Sequence, residues 1–164
     1  MSIPIDLPPR QLCVQRYLED FPDGEYFPIP SRTMTSGIFA AFQAASGDNH
    51  PIHYDEHYCQ ARGMPRMLAH GFQTLIQASS GAGLFPHMVD DSLIAFLEQS
   101  CQFLAPVYEG DTLYPCLQTV STVARNTTGV LTLRATIHNQ DGVLVLDGLQ
   151  KFLLKKRPAP HPAA

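Results

Sequence analysis

Asp48 and His53 stand five positions apart in the stretch Phe42-Gln43-Ala44-Ala45-Ser46-Gly47-Asp48-Asn49-His50-Pro51-Ile52-His53-Tyr54-Asp55. A carboxylate close to an imidazole raises the pKa of the ring and fixes its tautomer. The two can also hold one water between them, one group removing a proton and the other supplying one. A plain helix cannot run through this stretch. Gly47 and Asp48 favour a turn, and Pro51 biases His50 away from helical dihedrals. A turn there can bring both side chains to one point. From spacing alone the plainer reading comes first: Asp48 shapes the turn, and His53 is a surface or core histidine.

The elements that must position these residues follow from the pattern around them. A helix is predicted over Gly37 to Ala45, with Ser36 as its N-cap and Phe39, Phe42 and Ala45 on its buried side. Asp55 is a good N-cap for a short helix over Glu56 to Arg62. A longer helix is predicted over Gly71 to Gly83, with Phe72, Leu75, Ile76, Ser79, Ala82 and Gly83 on one side. Its small residues let it lie close to a sheet or another backbone. Upstream, Tyr26 to Thr35 reads as a strand broken by prolines, hence an edge. Downstream the period changes to that of strands over Leu93–Phe103, Thr112–Val123, Val130–Asn139 and Val143–Leu154. Asp141-Gly142 marks a hairpin between the last two. The fold class is α+β: helices packed on one face of a strongly curved, five-stranded antiparallel sheet. Its open edges would be covered in a homodimer that continues the sheet.

Composition bounds the function. The 164 residues suit a single domain, with a core from about 20 to 155, a loose lead-in over 1–10 and a Pro/Ala tail over 157–164. Apolar residues make up 45% of the chain, so it is globular. The net charge of −4 gives no basic field for nucleic acid. No run of about 18 apolar residues offers a membrane span. Met1 to Arg10 lacks a signal peptide's apolar region, so a cytoplasmic location is the default. Cys13, Cys59, Cys101 and Cys116 are too scattered for a zinc site or a disulfide frame. His53-Tyr54-Asp55-Glu56-His57 satisfies the zinc-peptidase string H-x-x-E-H, but Pro51 and the Asp55 cap start the helix too late for His53 to share it. No phosphate loop or dinucleotide fingerprint is present, so no redox cofactor is implied.

Several positions together resemble the hydratase-2 motif of the MaoC-like dehydratase family, the (R)-specific enoyl-CoA hydratases. The matching residues are Phe42, Ser46-Gly47-Asp48, Pro51-Ile52-His53 and Asp55, followed by His70-Gly71. The helix-then-four-strands order is that family's hotdog order, and the likeness covers roughly residues 20–155. The resemblance implies addition of water to a 2-enoyl thioester, or its removal from a 3-hydroxyacyl thioester. It needs neither metal nor cofactor, with an acyl-CoA or related thioester as substrate and a homodimer or dimer of dimers as the assembly. Asp48 and His53 would activate the water and handle the proton at the α-carbon. Gly71 would offer a backbone N–H to the thioester oxygen, aided by the helix dipole. Ser79 would line the site. The family has Asn immediately before the proline, where this chain has His50; that residue is either a substitute donor to substrate or a surface residue. Lys151, Lys155, Lys156 and Arg157, or Arg62 and Arg66, could meet CoA phosphates. Two rivals remain at this point: a hotdog thioesterase with Asp48 as base, and a non-catalytic acyl-thioester-binding protein.

Overall fold

The computed structural model describes residues 12–158. The expected lead-in lies outside the described residues, as does the expected tail apart from Arg157 and Pro158.

Six strands form an antiparallel sheet: β1 Tyr26–Pro28, β2 Arg32–Thr33, β3 Leu93–Phe103, β4 Thr112–Ala124, β5 Thr128–His138 and β6 Leu144–Lys155. The order is β1-β4-β5-β6-β3, and β2 pairs with β4 beside β1. The proline-broken segment is thus an edge, as its composition predicts, but it makes two short strands rather than one. Prolines at 28 and 30 interrupt the donor ladder between them. At the other edge, β3 pairs with β6 alone, with register shifts at Leu93/Ala95 and Phe96/Glu98 that bend it. The β3–β6 ladder closes tightly at Gly148, where a Cβ would come within 2.2 Å of the Ser100 carbonyl oxygen. Only glycine allows that approach.

The sheet buries Leu113 and Leu117 of β4, Leu131, Leu133 and Ile137 of β5, and Phe152 and Leu154 of β6. Phe21, Phe27, Phe85 and Phe152 form a continuous aromatic cluster at one end of this core. Four helices lie between β2 and β3 in the chain: α1 Ser36–Ser46, α2 Glu56–Gln60, α3 Gly71–Leu75 and α4 Phe85–Met88, and the turn Ile76–Ala78 that follows α3 packs on β4 and β5. Thr35 rather than Ser36 caps α1, its hydroxyl accepting from the Ile38 N–H at 3.4 Å. Phe39 is buried as expected, Phe42 is half-buried, and Ala45 is exposed. Asp55 caps α2 as expected, accepting from the Tyr58 N–H at 2.9 Å.

The long helix expected over 71–83 is instead broken. After α3, 3-10 turns cover Ile76–Ala78 and Ser80–Ala82, and Ser79 between them is non-helical at φ −59°, ψ 128°. Its buried face also differs from the expected one. Gln73, Thr74, Gln77 and Ala78 face inward, while Phe72 is 72% exposed. The buried polar side chains bond back to the same segment: Thr74 Oγ1 donates to the His70 carbonyl at 3.3 Å, and Gln77 Nε2 to the Gln73 carbonyl at 2.9 Å. Such local bonds engage Thr74 and Gln77 without lengthening the helix, while the buried Gln73 Nε2 has no hydrogen-bond partner among the described residues. Phe72 and Ile76 face outward, and exposed Phe96, Leu97 and Phe103 lie on β3. No helix among the described residues is long and apolar enough to cross a membrane.

Candidate active site

Helix α1 delivers Asp48. Gly47 ends the helix in the left-handed region at φ 72°, its N–H donating to the Gln43 carbonyl at 2.9 Å. The chain then turns, and the Asp48 N–H donates to Ser46 Oγ at 3.2 Å. The Asp48 side chain is 56% exposed. It therefore has access to solvent and to any ligand arriving there.

His53 ends the 3-10 turn Pro51–His53. Two hydrogen bonds fix this turn to the neighbouring segment. The Leu68 N–H donates to the Ile52 carbonyl at 3.0 Å, and the Leu68 carbonyl accepts from His53 Nδ1 at 2.7 Å. A carbonyl can only accept, so the ring proton sits on Nδ1 and Nε2 keeps a free lone pair. The nearest ring nitrogens and carboxylate oxygens of Asp48, His53 and His70 lie within 4.8 Å of one another. The turn therefore brings the sequence-predicted pair to one place.

The pKa of His53 runs against expectation. Burial is the largest influence and holds it below the ordinary 6.5. The Leu68 bond raises it, His70 and His50 lower it, and Asp48 raises it. The carboxylate's effect is outweighed because Asp48 is open to solvent while the ring is partly enclosed. A neutral imidazole with a free Nε2 is a ready proton acceptor.

His50 is exposed, and its Nδ1 accepts from the Ile52 N–H at 3.3 Å. It caps the turn that carries His53. Its ring meets the Tyr58 ring edge-on at 5.7 Å, and the Arg62 guanidinium covers that Tyr58 ring at 3.5 Å.

Gly71 opens α3 beside a cleft of about 440 Å³. Leu68, Ala69, Thr74, Phe103 and Val107 share its lining. The Phe103 ring comes within 3.2 Å of the position a Cβ on Gly71 would take. At the first helical position an N–H has no partner within the helix. With α3 only five residues long, that N–H and not a macrodipole is what Gly71 can offer. Ser79 is not brought to this point. It lies in a second cleft with Ile76, Ser80, Phe96, Gln150 and Phe152.

Three donors as close as Asp48, His53 and His70 invite a metal reading. The His53 and His70 rings, however, stack at 3.5 Å with 20° between planes. Imidazole lone pairs lie in the ring plane, so stacked rings direct them side by side rather than toward one ion. The H-x-x-E-H string fails on geometry too: His53 is in a 3-10 turn, whereas His57 is on α2 beyond the Asp55 cap.

Most of the basic candidates are engaged. Lys151 pairs with Glu98, Arg157 with Asp20 and Arg66 with Asp111, and Lys155 donates to the Asp91 carbonyl. Arg62 stacks on Tyr58, whose ring meets that of His50 in the turn that carries His53. Spacing did not single out His70 or Phe103 as parts of the site. The His70-Gly71 pair was the available signal for the first; the second needs the fold.

Comparison with known proteins places these features in context. The MaoC like domain family matches residues 19–139. The (R)-specific enoyl-CoA hydratase of Aeromonas caviae is 30% identical over 118 residues, which cover 72% of this chain and 84% of that protein. A monoamine oxidase regulatory protein from Archaeoglobus superposes with a TM-score of 0.81 at 28% identity, over 89% of this chain and 98% of the other. A Mycobacterium tuberculosis protein with a double hotdog fold superposes with a TM-score of 0.74 at 27% identity, over 91% of this chain and 47% of the other. The architecture here is the hotdog fold.

The site makes a pH prediction. An NMR titration should place the His53 imidazole below 6.5. The sign follows for stability: a depressed folded pKa means that His53's contribution is complete above 6.5 and is lost as the pH falls through the depressed value. A His53 titration at or above 6.5 contradicts the burial argument.

Proposed function

The chain belongs to the MaoC-like domain family, and from that premise we propose that it is a hydratase. It adds water to the double bond of a 2-enoyl thioester, or removes it from an (R)-3-hydroxyacyl thioester, with CoA carrying the acyl group. The observation that supports this most is a His53 ring nitrogen within 4.8 Å of an Asp48 carboxylate oxygen, on a ring whose Nδ1 is held by the Leu68 carbonyl so that Nε2 is left to accept.

In this reading a water donates one hydrogen to each acceptor. Its oxygen attacks C3 while a proton passes to the pair and from there to C2. The C=C bond becomes single, a C–O and a C–H bond form, and no electrons leave the substrate. Negative charge builds on the thioester oxygen during the step, and the Gly71 N–H stabilises it. The cleft beside Gly71 admits the thioester, and the cleft of Ser79, Phe96 and Phe152 receives the acyl tail. Arg62 meets the phosphates of CoA, as a cation that has no ion pair among the described residues and stacks on Tyr58 beside the turn of His53. The outer edge of β3 pairs with its own copy in a homodimer, which also covers exposed Phe96, Leu97 and Phe103.

Asp48→Asn and His53→Ala should each lower crotonyl-CoA hydration by about 10²–10⁴-fold while circular dichroism stays unchanged. Turnover is read as loss of enoyl absorbance. Near-wild-type turnover in either variant sinks the pair, and release of free thiol in its place means a thioesterase. Light scattering should give about twice the 18.1 kDa chain mass. A monomer at every concentration measured rules out the β3 edge pairing.

A further inference from the structure

His70 is only 3% exposed, yet it touches both Asp48 and His53 and directly precedes Gly71. Its Nε2 lies 3.0 Å from the Asp48 carbonyl oxygen, so the ring donates there across 22 residues of chain. The Asp48 carboxylate Oδ2 is 4.0 Å from the same nitrogen. Its ring lies flat against His53 at 3.5 Å, and Phe42 of α1 meets it at 4.9 Å. Its backbone is the N-cap of α3, immediately before Gly71. Buried Gln73 holds the other side: its Oε1 accepts from the His70 N–H at 3.2 Å and lies 3.3 Å from Nδ1.

Burial at this level keeps His70 from touching substrate or water. It can act only through its neighbours. One hydrogen bond fixes where the chain leaves α1 and therefore where Asp48 stands. One ring face limits how far His53 can swing. The same residue starts the turn that presents the Gly71 N–H. We propose that His70 is a positioning residue that holds Asp48, His53 and Gly71 in one catalytic register. This rests on the hydratase reading of that pair.

A displacement of about 1 Å in a reacting group can cost about 100-fold in rate, and that sets the size of the expected effect. The charged and titratable groups facing His53 are His70 from α3 and Asp48 and His50 from the catalytic loop, with the Leu68 carbonyl on its Nδ1. Of these, His70 and His50 both oppose protonation of His53, so removal of the His70 imidazole moves the acid limb of the pH profile upward.

The test uses the full chain with His70→Gln, His70→Asn and His70→Leu. Glutamine places an N–H donor near the position of Nε2; asparagine falls short of it and leucine has none. With crotonyl-CoA, His70→Leu and His70→Asn should lose about 100-fold in kcat with KM little changed. His70→Gln should recover at least about tenfold of that loss. The acid limb should move to higher pH in all three, because none carries the second imidazole. A packing role alone predicts neither the rescue by glutamine nor the shifted limb. Folded His70→Asn with wild-type kcat and an unmoved acid limb overturns the proposal. If the wild-type protein hydrates no enoyl-CoA, the hydratase reading fails separately. The His53 NMR titration then decides the role of His70: a raised His53 pKa in His70→Asn or His70→Gln supports the contact, and an unchanged one in both overturns it.

Discussion

The Leu68 carbonyl takes the Nδ1 proton of His53 at 2.7 Å, while the Leu68 N–H holds the Ile52 carbonyl at 3.0 Å. Leu68 is itself fixed, since it bridges to Tyr108 and its neighbour Ala69 donates to the Val107 carbonyl at 2.8 Å. The chemistry of the site depends on this clamp. It chooses the tautomer and leaves Nε2 unprotonated; the bond itself raises the ring's pKa, and burial outweighs it and holds the pKa below the ordinary value. Without it, His53 would be an exposed imidazole on a loop, free to take either tautomer.

The rest of the fold serves that clamp. The β4–β5–β6 sheet supplies the buried leucines and isoleucine of the core, and the turn Ile76–Ala78 after α3 packs on β4 and β5. Helix α1 ends at Gly47 so that Asp48 emerges beside the clamped ring. The β3 strand bends at its two register shifts and ends with Phe103 against Gly71. The close approach at Gly148 holds that strand to the sheet, so β3 becomes a wall of the cleft as well as an edge.

Much of this was legible in the sequence because it depends on local rules. Alternating β-branched and aliphatic residues mark the four long strands, Asp141-Gly142 marks the last hairpin, and Asp55 caps α2 as its type suggests. Asp48 and His53 are singled out by the resemblance to the hydratase-2 motif, since the turn that Gly47 and Pro51 signal brings them together but by itself favours the plainer reading. What could not be read depends on tertiary surroundings. Apolar spacing from Phe72 to Gly83 points to one long helix with its hydrophobic side inward. The chain instead buries Gln73 and Gln77, turns Phe72 and Ile76 outward, and breaks at Ser79. Back-bonding by buried amides leaves no mark in a hydropathy pattern. The direction of the His53 pKa is hidden for a similar reason, since spacing reveals a nearby carboxylate but not the burial of the ring that outweighs it. The sequence leaves His50 as either a substrate donor or a surface residue, and its cap on the Ile52 N–H emerges only from the turn geometry.

The central claim is that Asp48 and His53 act from one point on a single water. Hydration of crotonyl-CoA in deuterium oxide tests it most directly, with the product resolved by NMR. Acid and base lying within 4.8 Å of each other deliver oxygen to C3 and deuterium to C2 on the same face. The account predicts one diastereomer, (R) at C3, with the hydroxyl and the C2 deuterium added syn. Addition from opposite faces, or a scrambled C2 centre, would contradict it.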